Sequence, residues 1–237
     1  MDRKKAAIIY MSRVIGERVI GLALFLWGAG RVLPLHATVY FAVYFGAALL
    51  SAVYLRRHGD TLTARANLNR DTPVWDKLIL TAFWLVGYFI IYYVAGRTAA
   101  QGGSLWLSLA GAVIYLLSTW LTDAAIASNP FAESTARLQP ERGQTPVCAG
   151  PYRFVRHPMY AAILLWCVGV VLSFPTAGVA VCSAIVAALL LTRTALEDRM
   201  LQAGLPGYKE YASRTKYRVI PGIWENSKSF SKKAKTP

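Results

Sequence analysis

The amino-acid sequence predicts an all-α polytopic membrane protein. Hydrophobic residues make up 55% of the 237 residues and charged residues only 16%, a composition too apolar for an ordinary soluble domain. The apolar residues gather into six runs that are bounded by charge, glycine or proline. A hydrocarbon core of roughly 30 Å needs about 20 helical residues, so the runs predict about six transmembrane helices.

Four of these runs form a predicted N-terminal membrane region, residues 1–126. They are Val19–Leu33, Ala37–Leu55, Leu78–Ala95 and Leu105–Ile126. The first run is short for a span. It reaches across only if Glu17 and Arg18 lie at the headgroups with their aliphatic parts along the acyl boundary.

The last two runs, Tyr160–Phe174 and Ala177–Thr192, predict a tight helical hairpin. Only Pro175 and Thr176 separate them. Proline lacks the amide proton that a continuing helix needs and disfavours helical dihedrals in the residue before it. Because both runs are short, the pair is expected to turn back on itself at the far side of the membrane.

The basic residues predict the orientation. Of the 26 Lys and Arg residues, 24 fall on one side of the six-span arrangement, and only Arg31 and Arg97 fall on the other. By the positive-inside rule the basic side is cytoplasmic, so both termini are expected there. The net charge of +14 is then explained by topology and attraction to anionic lipid, and no nucleic-acid partner is expected. Residues 226–237, in which lysines lie among serines, are predicted to form a disordered basic tail.

Residues 127–225 are predicted to form the functional core, beginning with a long polar loop. Residues 127–156 contain Asn129-Pro130, Pro140, Gly143, Pro146 and Gly150-Pro151, which are turn signals. A loop of this length in a compact chain usually has a task such as lining a site. The three cysteines and three histidines lack the spacings of metal ligands, so no metal is expected.

Two polar clusters flank the hairpin and are predicted to meet at one cytoplasmic face. The first is Gly150–Tyr160, in which His157 is expected to cap the helix that begins at Pro158. The second is Arg193–Asp198, in which Arg193 and Glu197 are four residues apart and share a face on the last turns of the sixth helix. Purely structural roles would be headgroup anchoring for the first cluster and a modest surface ion pair for the second.

Motifs in the C-terminal part, taken in order, resemble the isoprenylcysteine carboxyl methyltransferase family. The motifs are Asn129-Pro-Phe, Arg137-Leu-Gln139, Arg142-Gly-Gln144, Gly150-Pro-Tyr-Arg-Phe-Val-Arg-His-Pro-Met-Tyr160, Arg193-x-x-x-Glu197-Asp198-x-x-Leu201, Tyr208-x-x-Tyr211 and Tyr217-Arg-Val-Ile-Pro-Gly-Ile-Trp224. Members are integral membrane enzymes that use S-adenosylmethionine. The resemblance covers roughly residues 129–224.

The resemblance implies a set of site residues. Arg193 is expected to face the methyl acceptor. The residues expected to contact S-adenosylmethionine are Gln139, Gln144, Thr145, Pro146, Val147, Tyr152, His157, Pro158, Met159, Tyr160 and Glu197. The chain departs from the family pattern at Asp198, where a second glutamate is common, and Pro146 removes a backbone donor near the expected adenine end.

The function implied is methyl transfer from S-adenosylmethionine to a lipophilic acceptor drawn from the membrane. A carboxylate such as a prenylcysteine α-carboxyl is the first expectation, because Arg193 could hold it by a bidentate contact. An amine acceptor, as in phospholipid N-methyltransferases, would need a base. An NADPH-dependent enzyme similar to sterol reductases would share some of these motifs, and a membrane scaffold without catalytic activity would need none of this chemistry.

Overall fold

The computed structural model describes residues 3–66, 72–98 and 103–223, and this part of the chain is helical, without a β-strand. The all-α fold class is therefore confirmed. The α-helices are α1 (Arg3–Gly28), α2 (Leu35–Leu55), α3 (Gly59–Ala66), α4 (Val74–Trp84), α5 (Ile91–Thr98), α6 (Leu105–Ser128), α7 (Pro158–Ser173), α8 (Ala177–Gly204) and α9 (Tyr208–Arg214). A π-helical segment, Leu85–Ile90, joins α4 to α5, and one-turn 3₁₀ helices occupy Pro140–Arg142 and Gly150–Arg153.

Four helical stretches are long and apolar enough to cross a membrane. They are Leu35–Leu55, Val74–Thr98, Leu105–Ser128 and Ala177–Gly204. Helix α7 is apolar but has only 16 residues, a length of roughly 24 Å at 1.5 Å per residue. Helix α1 is long, and it carries Arg13, Glu17 and Arg18 near its middle. The protein is thus a polytopic membrane protein.

Two predicted boundaries are wrong. The first run was expected over Val19–Leu33, but α1 begins at Arg3 and ends at Gly28, because Gly30 and Arg31 take left-handed φ angles of 63° and 68° that stop the helix. The sixth apolar run was expected to end at Thr192, with Arg193 and Glu197 on the last turns of the helix, but α8 continues to Gly204. The apolar pattern marks the edge of the hydrocarbon, whereas the helix continues beyond it into the polar region.

Helices α6 and α7 pack closely because small residues line their contact. A Cβ atom built on Gly111 would lie 2.5 Å from the Gly169 carbonyl oxygen, so only glycine allows this approach. The Ser118 hydroxyl donates to the Ala162 carbonyl at 2.7 Å, and the Ser108 hydroxyl donates to the Ser173 carbonyl at 3.3 Å. The close approach holds the start of α7 against the C-terminal half of α6.

The predicted hairpin of α7 and α8 is present. Thr176 caps α8, with its hydroxyl accepting from the Val179 amide at 3.5 Å, and Pro175 lies in the connection. The Thr176 hydroxyl also lies 3.1 Å from the Thr98 hydroxyl at the end of α5. The turn of the hairpin and the end of α5, which carries Arg97, therefore share one end of the bundle, opposite to the start of α7.

The orientation in the membrane stays a prediction that cysteine labelling can test. In a Cys148→Ser background, which removes the exposed native thiol, Gln144→Cys should react with a membrane-impermeant reagent only from the cytoplasmic side. Thr176→Cys should react only from the outside, as should a cysteine at Gly102, which lies outside the described residues. Reaction of Gln144→Cys and Thr176→Cys from the same side would contradict a single crossing by α7.

Candidate functional site

A cavity of about 520 Å³ lies between the long loop, the α7–α8 hairpin and the N-terminal helices. This volume is within the range of small-molecule sites. All twelve of the predicted site residues line the cavity: Gln139, Gln144, Thr145, Pro146, Val147, Tyr152, His157, Pro158, Met159, Tyr160, Arg193 and Glu197. The folded chain therefore brings the two polar clusters and the loop together.

His157 caps α7 as predicted, with Pro158 in the first turn. The backbone on its N-terminal side is fixed by the C-terminal segment. The Arg156 amide donates to the Tyr217 carbonyl at 3.0 Å, and the His157 amide donates to the Arg218 carbonyl at 2.9 Å. These two hydrogen bonds explain how the motif that begins at Tyr217, far along the chain, contributes to the site.

Asp198 is the buried anchor of this region, a role that the sequence left in doubt. Its side chain is fully buried, and it accepts hydrogen bonds from five residues. The donors are Arg156 at 2.9 Å, His157 Nε2 at 3.3 Å, Gln202 at 2.8 Å, the Tyr208 hydroxyl at 3.0 Å and Arg218 at 2.9 Å. Burial, with the Asp198 charge beside it, raises the pKa of Tyr208, so this hydroxyl stays protonated and donates.

Glu197 is held next to the start of α7. The Tyr160 hydroxyl donates a hydrogen bond to Glu197 Oε2. The Tyr160 ring in turn stacks on the His157 ring, with centroids 5.5 Å apart and planes 9° from parallel. One carboxylate oxygen of Glu197 is thereby oriented on the cavity wall by aromatic side chains from the neighbouring helix.

Arg193 does not form an ion pair with Glu197, which was the structural alternative to its predicted role. Its partner is Asp76 of α4, which is fully buried, and Arg193 Nε lies 2.7 Å from Asp76 Oδ1. Arg193 Nη2 donates to the Ser134 carbonyl at 3.1 Å, and the guanidinium lies 5.3 Å from the centroid of the Tyr160 ring. Because α8 continues to Gly204, Arg193 is also inside the helix and not on its last turns.

Asp76 was missed by sequence reasoning. It follows Trp75 at the start of an apolar stretch, where an acid near a helix N-terminus is ordinary. Besides Arg193, it accepts a hydrogen bond from the Ala136 amide at 2.9 Å. Asp76 thus joins α4, α8 and the loop at one point beside the cavity.

Gln139 and Gln144 brace the loop. Gln139 is 2% exposed, and its side chain donates to the Phe131 carbonyl at 2.8 Å and accepts from Arg142 at 2.6 Å. The Gln144 side chain accepts from the Gln139 amide at 2.9 Å, around a turn in which Gly143 has a φ of 60°. The next residues, 145–147, have no regular secondary structure and line the cavity. Within the described parts of the chain, the Thr145 and Val147 amides have no hydrogen-bond partner.

Tyr152 and Met159 complete the predicted set. Asn129 Nδ2 donates to the Tyr152 hydroxyl at 3.1 Å, and Tyr211 donates to the Tyr152 carbonyl at 2.8 Å. Burial raises the pKa of Tyr152 to about 12, so its hydroxyl is protonated at neutral pH. The Met159 sulfur lies 3.6 Å from Arg65 Nη1 of α3, a helix the sequence did not predict.

The fold is that of a polytopic membrane protein with an internal cavity. The C-terminal helices and the loop form this cavity together with the N-terminal helices. Residues 112–203 match the family model described as the isoprenylcysteine carboxyl methyltransferase (ICMT) family. The predicted resemblance is confirmed over this segment, which contains most of α6, the loop, α7 and nearly all of α8. The match supports a membrane methyltransferase. The comparison with curated proteins gives no match.

Proposed function

We propose that the protein transfers the methyl group of S-adenosylmethionine to a lipophilic acceptor that reaches the cavity from the bilayer. The observation that carries this proposal is the single cavity shared by the family-matched loop, α7 and α8 and by the N-terminal membrane helices. A polar donor and a lipophilic acceptor could meet in such a cavity. In this proposal residues 1–126 shape the lipid side, residues 127–225 form the methyltransferase core, and the core faces the cytoplasm.

The described residues offer groups that fit S-adenosylmethionine. Its ammonium and ribose hydroxyls can donate hydrogen bonds, and the oriented Glu197 carboxylate can accept them. Its adenine has acceptor nitrogens, to which the Thr145 and Val147 amides can donate hydrogen bonds. The rings of Tyr152, His157 and Tyr160 offer stacking surfaces. Gln139 and Gln144 would act by holding the loop in shape, because their side chains are already engaged.

The sulfonium of S-adenosylmethionine supplies an activated methyl group, so the protein need not form a covalent intermediate. Its residues would instead hold the acceptor atom in line with the methyl group and keep water away. Tyr160 and Arg193 are buried at the cavity wall, which suits the exclusion of water. The family resemblance implies that Arg193 faces the acceptor.

Ligand binding distinguishes a methyltransferase from a reductase and from a scaffold. S-Adenosylhomocysteine should raise the unfolding temperature of the purified protein in phosphatidylcholine nanodiscs, because a ligand that binds only the native state stabilises it. NADPH should leave the temperature unchanged. A shift with NADPH alone would favour the reductase, and no shift with either compound at millimolar concentration would favour the scaffold.

A further inference from the structure

Arg65, near the end of α3, lies where the N-terminal helices meet the long loop and the start of α7. Its Nη1 atom donates to the Ala132 and Glu133 carbonyls of the loop, each at 3.3 Å, and lies 3.6 Å from the Met159 sulfur. Its guanidinium also lies 5.7 Å from the centroid of the Tyr10 ring of α1. Arg65 lines the cavity, so it belongs to the wall at the junction of the two halves of the protein.

The positive charge of Arg65 is not neutralised by an ion pair within the described parts of the chain. The groups that it reaches are neutral, namely two backbone carbonyls, the Met159 sulfur and the Tyr10 hydroxyl, which lies 3.4 Å from Nε. Nη2 has no acceptor among the described residues. A half-buried guanidinium with unused donors complements an anion, and above all a carboxylate.

The part of the cavity that the N-terminal helices form has positive charge in excess. Its described charged lining residues are the cations Arg13, Arg18 and Arg65 and the anions Glu17 and Asp123. Three cations against two anions leave one positive charge over. Ionisable groups inside a membrane region are costly, and they usually pair with one another or serve a ligand. A bound anion would balance the charge of this region.

Arg18 is less suited than Arg65 to hold that anion. Each of its three nitrogens already donates: Nε to the Tyr44 carbonyl at 3.1 Å, Nη1 to a carbonyl of its own helix at 3.1 Å, and Nη2 to the Tyr115 hydroxyl at 3.3 Å. None of these partners belongs to the predicted donor site. Arg65 contacts Met159, which does belong to it, and is therefore placed beside the proposed position of the donor.

The buried arginines at the other end of the cavity are already paired. Arg193 Nε lies 2.7 Å from Asp76 Oδ1, and Arg156 Nε lies 2.9 Å from Asp198 Oδ1. Arg193 can face the acceptor, but its charge is balanced by Asp76 before any ligand binds. The charge that attracts an anionic acceptor therefore has to come from another residue, and Arg65 meets this requirement.

Aromatic rings on the adjoining cavity wall suit the hydrocarbon chain of such an acceptor. The Trp84 and Tyr88 rings stack with centroids 4.5 Å apart, and the Tyr88 ring lies 6.3 Å from that of Trp166 and 12° from parallel. All three residues line the cavity that Arg65 lines. Large aromatic side chains offer apolar surface against which a lipid chain can pack.

We propose that Arg65 binds the carboxylate of the methyl acceptor; this inference rests on the proposed function. Arg65 lies outside the family-matched segment proposed to hold the donor and belongs to the helices proposed to shape the acceptor side. A lone pair of the bound carboxylate forms the new O–C bond while the methyl C–S bond breaks, and that electron pair goes to sulfur, which becomes a neutral thioether. No proton moves. The ester product is uncharged, so it loses its attraction to Arg65 and can leave.

Two probes with the same lipid chain test the role of the charge. Protein in phosphatidylcholine nanodiscs with S-adenosylhomocysteine is given N-acetyl-S-farnesylcysteine, whose carboxylate is its one charge, or the neutral carboxamide of the same compound. The acid should raise the unfolding temperature more than the carboxamide does. Equal stabilisation by both would overturn the proposal. Preference for the acid in protein that does not bind S-adenosylhomocysteine would refute the methyltransferase and retain the carboxylate site.

Variants at position 65 locate the carboxylate. Arg65→Gln should weaken binding of the acid at least about tenfold, the effect of losing one charge-assisted contact, and should leave binding of the carboxamide nearly unchanged. Arg65→Lys should restore part of the affinity, since it keeps the charge but loses the planar fork. Arg214→Gln, which removes one charge from the exposed surface of α9, is the matched control and should change neither. Wild-type affinity for the acid in Arg65→Gln would refute this location.

Kinetics and donor binding separate this role from bracing of the loop and from binding of the donor's own carboxylate. The acceptor loses its negative charge as the methyl group is transferred, so Arg65 should stabilise the bound acceptor more than the transition state. Arg65→Gln should then raise KM for the acid at least about tenfold and change kcat less. It should bind S-adenosylhomocysteine as the wild type does, which also reports that it folds. Weaker binding of S-adenosylhomocysteine by this variant would assign Arg65 to the donor or the loop and would overturn the proposal.

Discussion

Replacing Asp198 with asparagine should lower the free energy of unfolding by about 3–5 kcal/mol, the usual cost of breaking a buried ion pair. Asp198 is fully buried and accepts from five residues, and the side chain of its partner Arg156 is also fully buried. An amide could not balance the charges of Arg156 and Arg218, and its NH₂ group would face other donors. The change would also loosen the start of α7, because Arg156 and His157 both reach this carboxylate.

Thermal unfolding in nanodiscs measures this effect, with Glu210→Gln as the control for loss of one charge. Asp198→Glu is an informative second variant, since the resembled family often has glutamate at this position. It keeps the charge but adds a methylene group to a fully enclosed site, so it should destabilise less than asparagine does. An unfolding temperature of Asp198→Asn equal to that of the wild type would refute the anchoring role.

Glu197→Gln and Arg193→Lys should separate donor binding from turnover. Glu197→Gln removes the charge proposed to receive the donor, so S-adenosylhomocysteine should bind about ten- to a hundredfold more weakly. Arg193→Lys keeps a positive charge beside the buried Asp76 but loses the fork that reaches the Ser134 carbonyl. Donor binding should be retained, because lysine still balances Asp76. Turnover should fall by about a hundredfold or more, because Arg193 is the residue expected to face the acceptor and lysine lacks its planar guanidinium.

Lysine is the better replacement at Arg193 because alanine would leave Asp76 buried without a cation and would destabilise the fold. Calorimetric titration gives the affinity for S-adenosylhomocysteine, and single-turnover methyl transfer gives the rate. An equal loss of donor affinity in both variants would show that Arg193 and Glu197 act as one structural unit, and the proposed division of roles would be wrong.

Much of the helical framework could be predicted from local pattern. Apolar runs located α2, the α4–α5 stretch and α6 closely, and Pro158 and Pro175 located the start of α7 and the turn of the hairpin. The limits of α1 and α8 could not be read in the same way. Both helices extend beyond their apolar runs into polar sequence, where hydrophobicity no longer distinguishes a helix from a loop.

The motif residues of the site were predicted, but several of their partners were not. His157, Tyr160, Arg193 and Glu197 were identified because they belong to spaced motifs next to a hairpin, and they do line one cavity. Asp76 is 117 residues from Arg193, and no local pattern links the two. For the same reason the only structural partner that the sequence suggested for Arg193 was Glu197, four residues away, whereas the ion pair of Arg193 is with Asp76.

Local sequence pattern is enough to predict that this is a helical membrane protein, that its last two apolar helices form a hairpin, and that two polar clusters flank that hairpin. These properties depend on composition, proline and helical period, which act over a few residues. Local pattern does not predict that Asp198 anchors the start of α7, that Asp76 pairs with Arg193, or that Glu17 and Asp123 share a cavity with the motif residues. These relations depend on how separate helices pack, because a buried charge takes as its partner whichever group the fold brings into contact.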